Sequence, residues 1–252
     1  MFTQQDILRI AMAQSARDLN VSPEDFTRTE PVIVAGELGI DAKKYYSKPV
    51  CCILVSYGAN VTACARADCL ETVTEYVGGG DFYRCFEAPR IIDLVSRLSP
   101  HGGESCFQAE YFLPRLDRLR ALECPYPMRV IEKEGFADLY KPEWHNALCE
   151  DRKELDVLGV GAFDGDRMIG MAGCSADAED MWQIGIDVLP AYRRQNVAAA
   201  LTSRLALEIL SRGKVPFYCA AWSNLPSVRN ALKSGFAPAW VETSVKARGA
   251  HR

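Results

Sequence analysis

The segment that decides the fold is residues 184–210, with the sequence IGIDVLPAYRRQNVAAALTSRLALEIL. Its apolar start predicts a strand that ends at Val188, and the leucines and alanines that follow predict a helix over residues 197–210. The turn between them holds Arg193 and Arg194. Because a helix N-terminus exposes unpaired amide hydrogens, this pattern is typical of a cradle that binds phosphate. An ordinary strand, turn and helix with two solvated arginines is the alternative interpretation.

The sequence around this segment predicts a mixed sheet. Asp164-Gly165-Asp166 is a hairpin signal between two apolar runs. The order of strand, helical region, three strands, helix, strand, helix and strand is not a repeated strand–helix unit, so a doubly wound sheet is excluded. The predicted strands are residues 128–131, 157–163, 167–174, 181–188, 215–221 and 236–245, and the other predicted helical stretches are residues 136–156 and 224–234.

A seam is predicted at residues 113–130, where charges cluster and three prolines disfavour helix. We therefore expect two domains, residues 1–126 and 127–252. The first half is expected to be a smaller α/β module, and it carries no recognisable chemical motif. Its predicted elements are helices over residues 4–19, 68–76 and 89–98, a hairpin of residues 50–56 and 60–65, and a strand over residues 105–112.

Composition narrows the class of protein. Hydrophobic residues at 48% and charged residues at 25% are typical of soluble globular chains. A net charge of -4 gives no basic excess, so we expect no nucleic-acid partner. The sequence shows no apolar stretch long enough for a bilayer and no signal peptide, so we expect a cytoplasmic protein without a membrane partner. The ten cysteines lack Cys-x-x-Cys spacing, which predicts reduced thiols and no metal.

Two blocks of sequence resemble a known family. The run VLPAYRRQNVAAAL, residues 188–201, resembles the acetyl-coenzyme A (acetyl-CoA) signature of the GNAT superfamily of acyltransferases. The run NLPSVRNALKSGF, residues 224–236, resembles a later block of that family, in which Gly-Phe closes a helix. The resemblance covers about residues 128–247. It implies an α/β (α+β) fold with a mixed, mostly antiparallel sheet flanked by helices, preceded here by the smaller module.

The resemblance implies an N-acetyltransferase of class EC 2.3.1. Such an enzyme transfers an acetyl group from its co-substrate acetyl-CoA to a primary amine, here expected to belong to a small molecule, by direct attack. Two alternatives stay open. One is a module that binds acyl-CoA without turnover, and the other is an acyltransferase that acts on proteins and docks them on its first half. A homodimer is also open.

The same resemblance implies the site. Backbone groups at the end of the strand would bind the pantetheine arm, with the Val188 amide as donor to the developing oxyanion, and the loop amides would bind the diphosphate. The expected catalytic residues are Asp187, Val188 and Tyr218. The expected coenzyme-binding residues are Ile186, Asp187, Val188, Arg193, Arg194, Gln195, Asn196, Val197, Ala198, Ala199, Asn224, Ser227 and Asn230.

Two departures from the family pattern affect these expectations. Asn196 stands where the family usually has glycine, but asparagine tolerates a left-handed backbone. Ala231 stands where the family often has a tyrosine that protonates the leaving thiolate. That proton would then come from another group, for which Tyr218 and Cys219 are the candidates, from water, or from no acid at all. Asp187 is the acid inside the strand, and it is either the general base or a turn-capping residue.

Other side chains have weaker functional interpretations. Glu143 and His145 either shape the acceptor pocket or lie on a solvated face. A covalent role for Cys174 or Cys219 lacks a histidine placed by the sequence to activate the thiol. Core or pocket-wall positions are predicted for the four tryptophans, Trp144, Trp182, Trp222 and Trp240.

Overall fold

A computed structural model describes residues 2–44, 46 and 49–248 of the 252-residue chain. The chain divides into two compact units. Unit 1 contains the described residues of 1–7 and 112–238, and unit 2 contains those of 8–111 and 239–252. The predicted domain boundary between residues 126 and 127 therefore falls inside unit 1.

Strands and helices alternate irregularly along the chain. The helices are α1 (Gln4–Leu19), α2 (Leu70–Gly78), α3 (Ala88–Leu98), α4 (Val197–Ser211) and α5 (Leu225–Lys233). The strands are β1 (Val32–Ala35), β2 (Val50–Ser56), β3 (Thr62–Ala65), β4 (Gly103–Pro114), β5 (Met128–Glu132), β6 (Asp156–Asp164), β7 (Arg167–Ser175), β8 (Met181–Val188), β9 (Val215–Ala220) and β10 (Phe236–Ala247).

In unit 1, neighbouring strands follow the order β5-β6-β7-β8-β9. All of these pairs are antiparallel except β8 with β9, which confirms the predicted mixed and mostly antiparallel sheet. The tight turn between β6 and β7 places Gly165 at φ +59°, as the hairpin signal requires. The apolar side of α4, including Leu201 and Leu205, packs with α5 residues against one face of this sheet.

The prediction of a mostly helical stretch over residues 136–156 is wrong. The structure has three short 3₁₀ helices, Lys133–Phe136, Pro142–Trp144 and Glu150–Arg152, and β6 already begins at Asp156. Pro142 lacks an amide hydrogen and disfavours helix at the preceding residue, so a continuous α-helix cannot form through it. This segment covers the other face of the sheet through a small apolar cluster around Phe136, Trp144 and Leu148.

In unit 2, neighbouring strands follow the order β1-β3-β2-β10. The antiparallel pair β2 and β3 confirms the predicted hairpin, and α1 confirms the predicted first helix. Strand β1 was not predicted, because its four residues carry no clear alternation. It runs parallel to β3. Along the described helices, no segment has the length and apolar character needed to cross a membrane, and none of the ten cysteines forms a disulfide.

Unit 2 contains a buried charged cluster. The Lys43 ammonium group is 2% exposed and forms an ion pair with the Asp18 carboxylate, while Glu242 Oε2 lies 3.9 Å from the same nitrogen. Asp18 Oδ1 also accepts hydrogen bonds from the Lys43 backbone amide and from Gln14 Nε2, both at 2.9 Å. Because the charges are out of water, each depends on its partner for compensation.

We expect Lys43→Met to lower the free energy of unfolding by about 3 kcal/mol, because it leaves buried carboxylates without their cation. Urea unfolding followed by circular dichroism measures the change. Lys44→Met is the matched control, since Lys44 is exposed and its loss should change stability by less than about 0.5 kcal/mol. Equal effects of the two substitutions would contradict the assignment of the cluster as buried and interdependent.

Candidate active site

The pairing of β8 with β9 stops halfway along β8. It joins residues 181–183 to residues 215–217, whereas β8 continues to Val188. On its other side, β8 remains paired with β7 as far as Val188 opposite Gly170. The edge of β8 from Ile184 to Val188 therefore faces an opening where the two strands diverge.

Backbone amides of β8 point into this opening. The Leu189 amide donates to the Ile169 carbonyl on the β7 side at 2.9 Å. Successive backbone groups of a strand point in opposite directions, so the amides of Val188 and Ile186 point to the β9 side. Arg193 Nε donates to the Val188 carbonyl at 3.0 Å. An extended ligand can bond the remaining groups of this edge in the way an added strand would.

The loop after β8 wraps the N-terminus of α4. Arg194 has φ +63° and Asn196 has φ +68°, both in the left-handed region. This geometry confirms that asparagine can replace glycine at position 196. Within the described chain, the amides of residues 194–199 have no backbone acceptor, and the first bonded one is the Ala200 amide, 3.1 Å from the Asn196 carbonyl. Together with the helix dipole, amides in this arrangement can bind an anion, and residues 194–199 are called the cradle below.

Residues 123–126 hold the loop from outside, through one backbone carbonyl and one side chain. Asn196 Nδ2 donates to the Glu123 carbonyl at 2.8 Å, and the Tyr126 hydroxyl donates to Gln195 Oε1 at 2.9 Å. Sequence reasoning missed Glu123 and Tyr126, because they lie about 70 residues away and carry no local signal. The side chains of Gln195 and Asn196 thus hold the loop, and the backbone amides remain for a ligand.

Helix α5 borders the opening with a chain of polar groups. Asn224 Oδ1 caps the helix by accepting from the Ser227 amide at 3.4 Å. The Ser227 hydroxyl and the Tyr218 hydroxyl lie 2.7 Å apart, and Asn230 Nδ2 donates to Thr202 Oγ1 at 3.0 Å. Burial raises the pKa of the Tyr218 phenol, so it holds its proton at neutral pH. A neutral phenol at this position can donate a proton.

The Asp187 carboxylate has structural partners on the other face of the sheet. Its Oδ2 atom accepts from the amides of Asn146 at 2.8 Å and Ala147 at 3.0 Å, and its Oδ1 atom accepts from Asn146 Nδ2 at 2.7 Å. Of the two interpretations of Asp187 from sequence, these contacts favour the turn-capping one. These three hydrogen bonds hold the segment around residue 146 in place.

Two glycines let that segment lie directly on the sheet. A Cβ atom at Gly185 would come within 1.8 Å of the Asn146 carbonyl oxygen. At Gly173, one would come within 2.1 Å of the Ala147 carbonyl oxygen. Gly173 and Gly185 face each other on β7 and β8, and both are needed for this close approach. Glycines in the middle of two apolar strands were the available sequence signal.

The tryptophans divide between the two units. Trp144 is buried in unit 1, and Trp182 is half-buried against its core. Trp222 is 57% exposed, so it is not a core residue, and its position in a pocket wall stays a prediction. It lies two residues before Asn224, the cap of α5, where the chain runs over the surface. Trp240 is buried in unit 2, stacked on the Tyr111 ring.

The other reactive side chains have limited roles. Burial raises the pKa of the Cys174 thiol far above its usual range, so it stays neutral and cannot serve as a nucleophile. Cys219 Sγ lies 3.1 Å from Gln183 Nε2, at the point where β8 and β9 diverge. His145 is exposed, with Nδ1 at 2.7 Å from the Pro142 carbonyl, and Glu143 is exposed beside it.

A cluster with metal-ligating side chains lies in unit 2. Possible ligand atoms of Asp68, Cys69 and His101 are within 4.8 Å of one another. The Arg66 guanidinium already neutralises Asp68, with one nitrogen 2.8 Å from Asp68 Oδ2, and the same nitrogen donates to the His101 carbonyl. An arginine in this position competes with any cation for the carboxylate.

These features agree with the comparisons with known proteins. The family model described as GNAT acetyltransferase matches residues 104–239, more than half of the chain. The protein therefore belongs to the GNAT acetyltransferase family, and this membership implies an acyltransferase. No curated protein matches the chain.

Solved structures give further likenesses. A GCN5-related N-acetyltransferase-like protein from Streptococcus suis is 20% identical, with 62% of this chain and 67% of that chain covered and a TM-score of 0.46. A GCN5-related N-acetyltransferase from Kribbella flavida is 15% identical, with 62% and 64% covered and a TM-score of 0.47. The aminoglycoside N-acetyltransferase AAC(6')-Iy, solved in complex with CoA, is 20% identical, with 48% and 93% covered and a TM-score of 0.36.

We expect Gly185→Ala to lower the free energy of unfolding by about 2 kcal/mol or more, because the new methyl group collides with backbone that cannot move without loss of the Asp187 bonds. Urea unfolding measures this loss in the free energy of unfolding. Gly36→Ala is the control, since the nearest atom to its added Cβ lies 4.0 Å away. A Gly185→Ala protein as stable as the control would show that the segment does not rest on the sheet.

Proposed function

We propose that this chain transfers the acetyl group of acetyl-CoA to a primary amine of a small molecule. The observation that carries the proposal is the open edge of β8, which leads directly into the amide cradle at the start of α4. An acyl-CoA has the matching shape, because an extended pantetheine arm joins its thioester to a diphosphate.

The coenzyme would bind mainly to the backbone. The amides of Ile186 and Val188 would bond the pantetheine arm along the open edge. The amides of residues 194–199 would hold the diphosphate, aided by the charges of Arg193 and Arg194. The small side chains in the first turn of α4 leave room for the phosphates to reach the backbone.

The chemistry then requires little from side chains. The neutral amine attacks the thioester carbon, the C–N bond forms, the C–S bond breaks, and the nitrogen releases its extra proton to solvent. Holding the two reactants side by side supplies much of the rate gain. The Val188 amide donates to the developing oxyanion. Residue 231 is a buried alanine, which has no proton to donate. Tyr218, which lies on β9, therefore protonates the leaving thiolate.

One observation favours a second candidate, an acyl-CoA-binding module without turnover. The Asp187 carboxylate is occupied by three donors, so the acid within β8 is not available as a base. Thiol release from acetyl-CoA in the presence of a panel of primary amines separates the two candidates. Binding of acetyl-CoA without release above the rate of hydrolysis would favour the module.

We expect Ala198→Asp to weaken acetyl-CoA binding at least tenfold, because a negative charge in the cradle repels the diphosphate. The substitution should not lower stability, since an acidic residue in the first turn of a helix is favourable. Isothermal titration calorimetry measures the affinity. Ser211→Asp adds the same charge at the exposed far end of α4 and should leave binding unchanged. No acetyl-CoA binding by the wild-type protein would reject the proposed function.

We expect Tyr218→Phe to lower kcat roughly 100-fold with little change in the KM for acetyl-CoA, because general-acid help is worth about that factor. The rate is measured by thiol release with the most active amine of the panel. Ser227→Ala keeps the phenol and removes only its partner at 2.7 Å, so a smaller loss is expected. If Tyr218→Phe keeps the wild-type kcat, the thiolate takes its proton from another source.

A further inference from the structure

Three side chains of unit 2 bring metal-ligating atoms together. Asp68 and Cys69 lie in a 3₁₀ helix, Ala67–Cys69, that follows β3, and His101 ends another, Ser99–His101, that precedes β4. Ligand atoms of the three residues all lie within 4.8 Å of one another. The group therefore joins two turns that are distant in the chain.

The separations within this group are those of ligands around one small ion. His101 Nδ1 lies 3.6 Å from Asp68 Oδ2, and Cys69 Sγ lies 3.6 Å from Asp68 Oδ1. A nitrogen and an oxygen that share a hydrogen bond are about 3 Å apart. Two ligands of a tetrahedral zinc ion are about 3.3–3.8 Å apart, because each bond to the ion is about 2.0–2.3 Å long. The imidazole and the carboxylate are therefore spaced for a shared ion rather than for a direct hydrogen bond.

The thiol of the group is protected from solvent, and the other two side chains reach the surface. Cys69 is fully buried, whereas the side chains of Asp68 and His101 are partly exposed. The buried Cys51 thiol lies in hydrogen-bond contact with the Cys69 thiol. When Cys69 binds a metal as a thiolate, Cys51 can donate to its sulfur, and outer hydrogen bonds of this kind orient metal ligands. An ion can enter from the exposed side of Asp68 and His101.

Arg66 limits the affinity of this group for a cation but leaves room for a metal bond. Its guanidinium binds both oxygens of Asp68, and its Nη2 atom also donates to the His101 carbonyl at 2.6 Å. Each carboxylate oxygen has two lone pairs, so one remains for a metal after the bond to Arg66. The arginine therefore weakens the attraction of Asp68 for a cation, while it holds Asp68 beside His101.

We propose that Asp68, Cys69 and His101 bind one Zn²⁺ ion, with water in the fourth position. Zinc in proteins takes imidazole nitrogen, thiolate and carboxylate oxygen, and three protein ligands with a water form an open zinc site. The Cys69 thiol gives its proton to solvent as the Zn–S bond forms, so the thiolate and the carboxylate balance the two charges of the ion. The sequence prediction of no metal rested on the missing Cys-x-x-Cys spacing, whereas these ligands come from two separate turns. The ion fastens the turn after β3 to the turn before β4.

The test uses the full-length protein, kept reduced and first freed of metal with a chelator, and Co²⁺ as the probe. Tetrahedral cobalt absorbs visible light far more strongly than six-coordinate cobalt, and a bound thiolate adds a charge-transfer band. We expect one equivalent of Co²⁺ to produce both signals. One equivalent of Zn²⁺ should then remove them, because a tetrahedral site with a thiolate ligand favours zinc.

His101→Ala and Cys69→Ser should each weaken Co²⁺ binding at least tenfold, and Cys69→Ser should also remove the charge-transfer band. Cys64→Ser is the matched control for the loss of a buried thiol. Cys64 is 4% exposed, and its Sγ atom lies 3.6 Å from the Gly36 carbonyl oxygen, so the thiol has a partner outside the proposed site. This variant should bind Co²⁺ like the wild-type protein. Circular dichroism checks that each variant is folded.

Three results would overturn the inference. They are a wild-type titration without the tetrahedral bands, wild-type affinity in His101→Ala, and an equal loss of binding in Cys64→Ser. If Cys69→Ser does not fold, the wild-type spectrum and the His101→Ala titration still decide, because His101 is partly exposed and its loss leaves the core unchanged. The titration contains no acetyl-CoA, so its outcome is independent of the proposed function.

Discussion

The site depends on the end of hydrogen bonding between β8 and β9 after Gln183 and Phe217. If the two strands stayed paired to their ends, the amides of Ile186 and Val188 would be satisfied within the sheet and no ligand could use them. Helix α4 packs over the unpaired half of β8 and its neighbour. Its first turns lie on Gly170 of β7, the residue opposite Val188, where an added Cβ would come within 3.1 Å of Leu201. One strand is thus fixed on its β7 side and open on the other.

Successive side chains of β8 point to opposite faces of the sheet, and the two faces make different contacts. Ile184, Ile186 and Val188 pack into the core beneath α4, which ties the strand to the helix that carries the cradle. Gln183, Gly185 and Asp187 lie on the opposite face, which residues 146–152 cover. Asp187 accepts hydrogen bonds from this segment, Gly185 leaves space for its backbone, and Gln183 lines a small cavity beside it. A shift of one residue in register would exchange these two faces, so that β8 could neither pack beneath α4 nor hold residues 146–152.

Sequence predicted the parts of this arrangement that have local causes. The helix over residues 197–210, its cradle, the left-handed tolerance of Asn196 and the hairpin at Gly165 follow from signals within a few residues. The short 3₁₀ helices between β5 and β6 could not be predicted from local signals, because Asp187 holds that segment from 41 residues away. Strand β1 is held by β3 rather than by its own pattern. No sign in the sequence marked the division into units, since the chain passes from one unit to the other within α1, β4 and β10 and not at a loop.

The proposed reaction also has an electrostatic requirement. A diphosphate needs positive charge around it, and the backbone amides at the start of α4, the dipole of that helix and the side chains of Arg193 and Arg194 can supply it. The pantetheine arm is uncharged, and the open edge of β8 offers it neutral backbone groups. The charge that would hold the coenzyme thus lies at the end of the strand, away from the edge along which the thioester would lie.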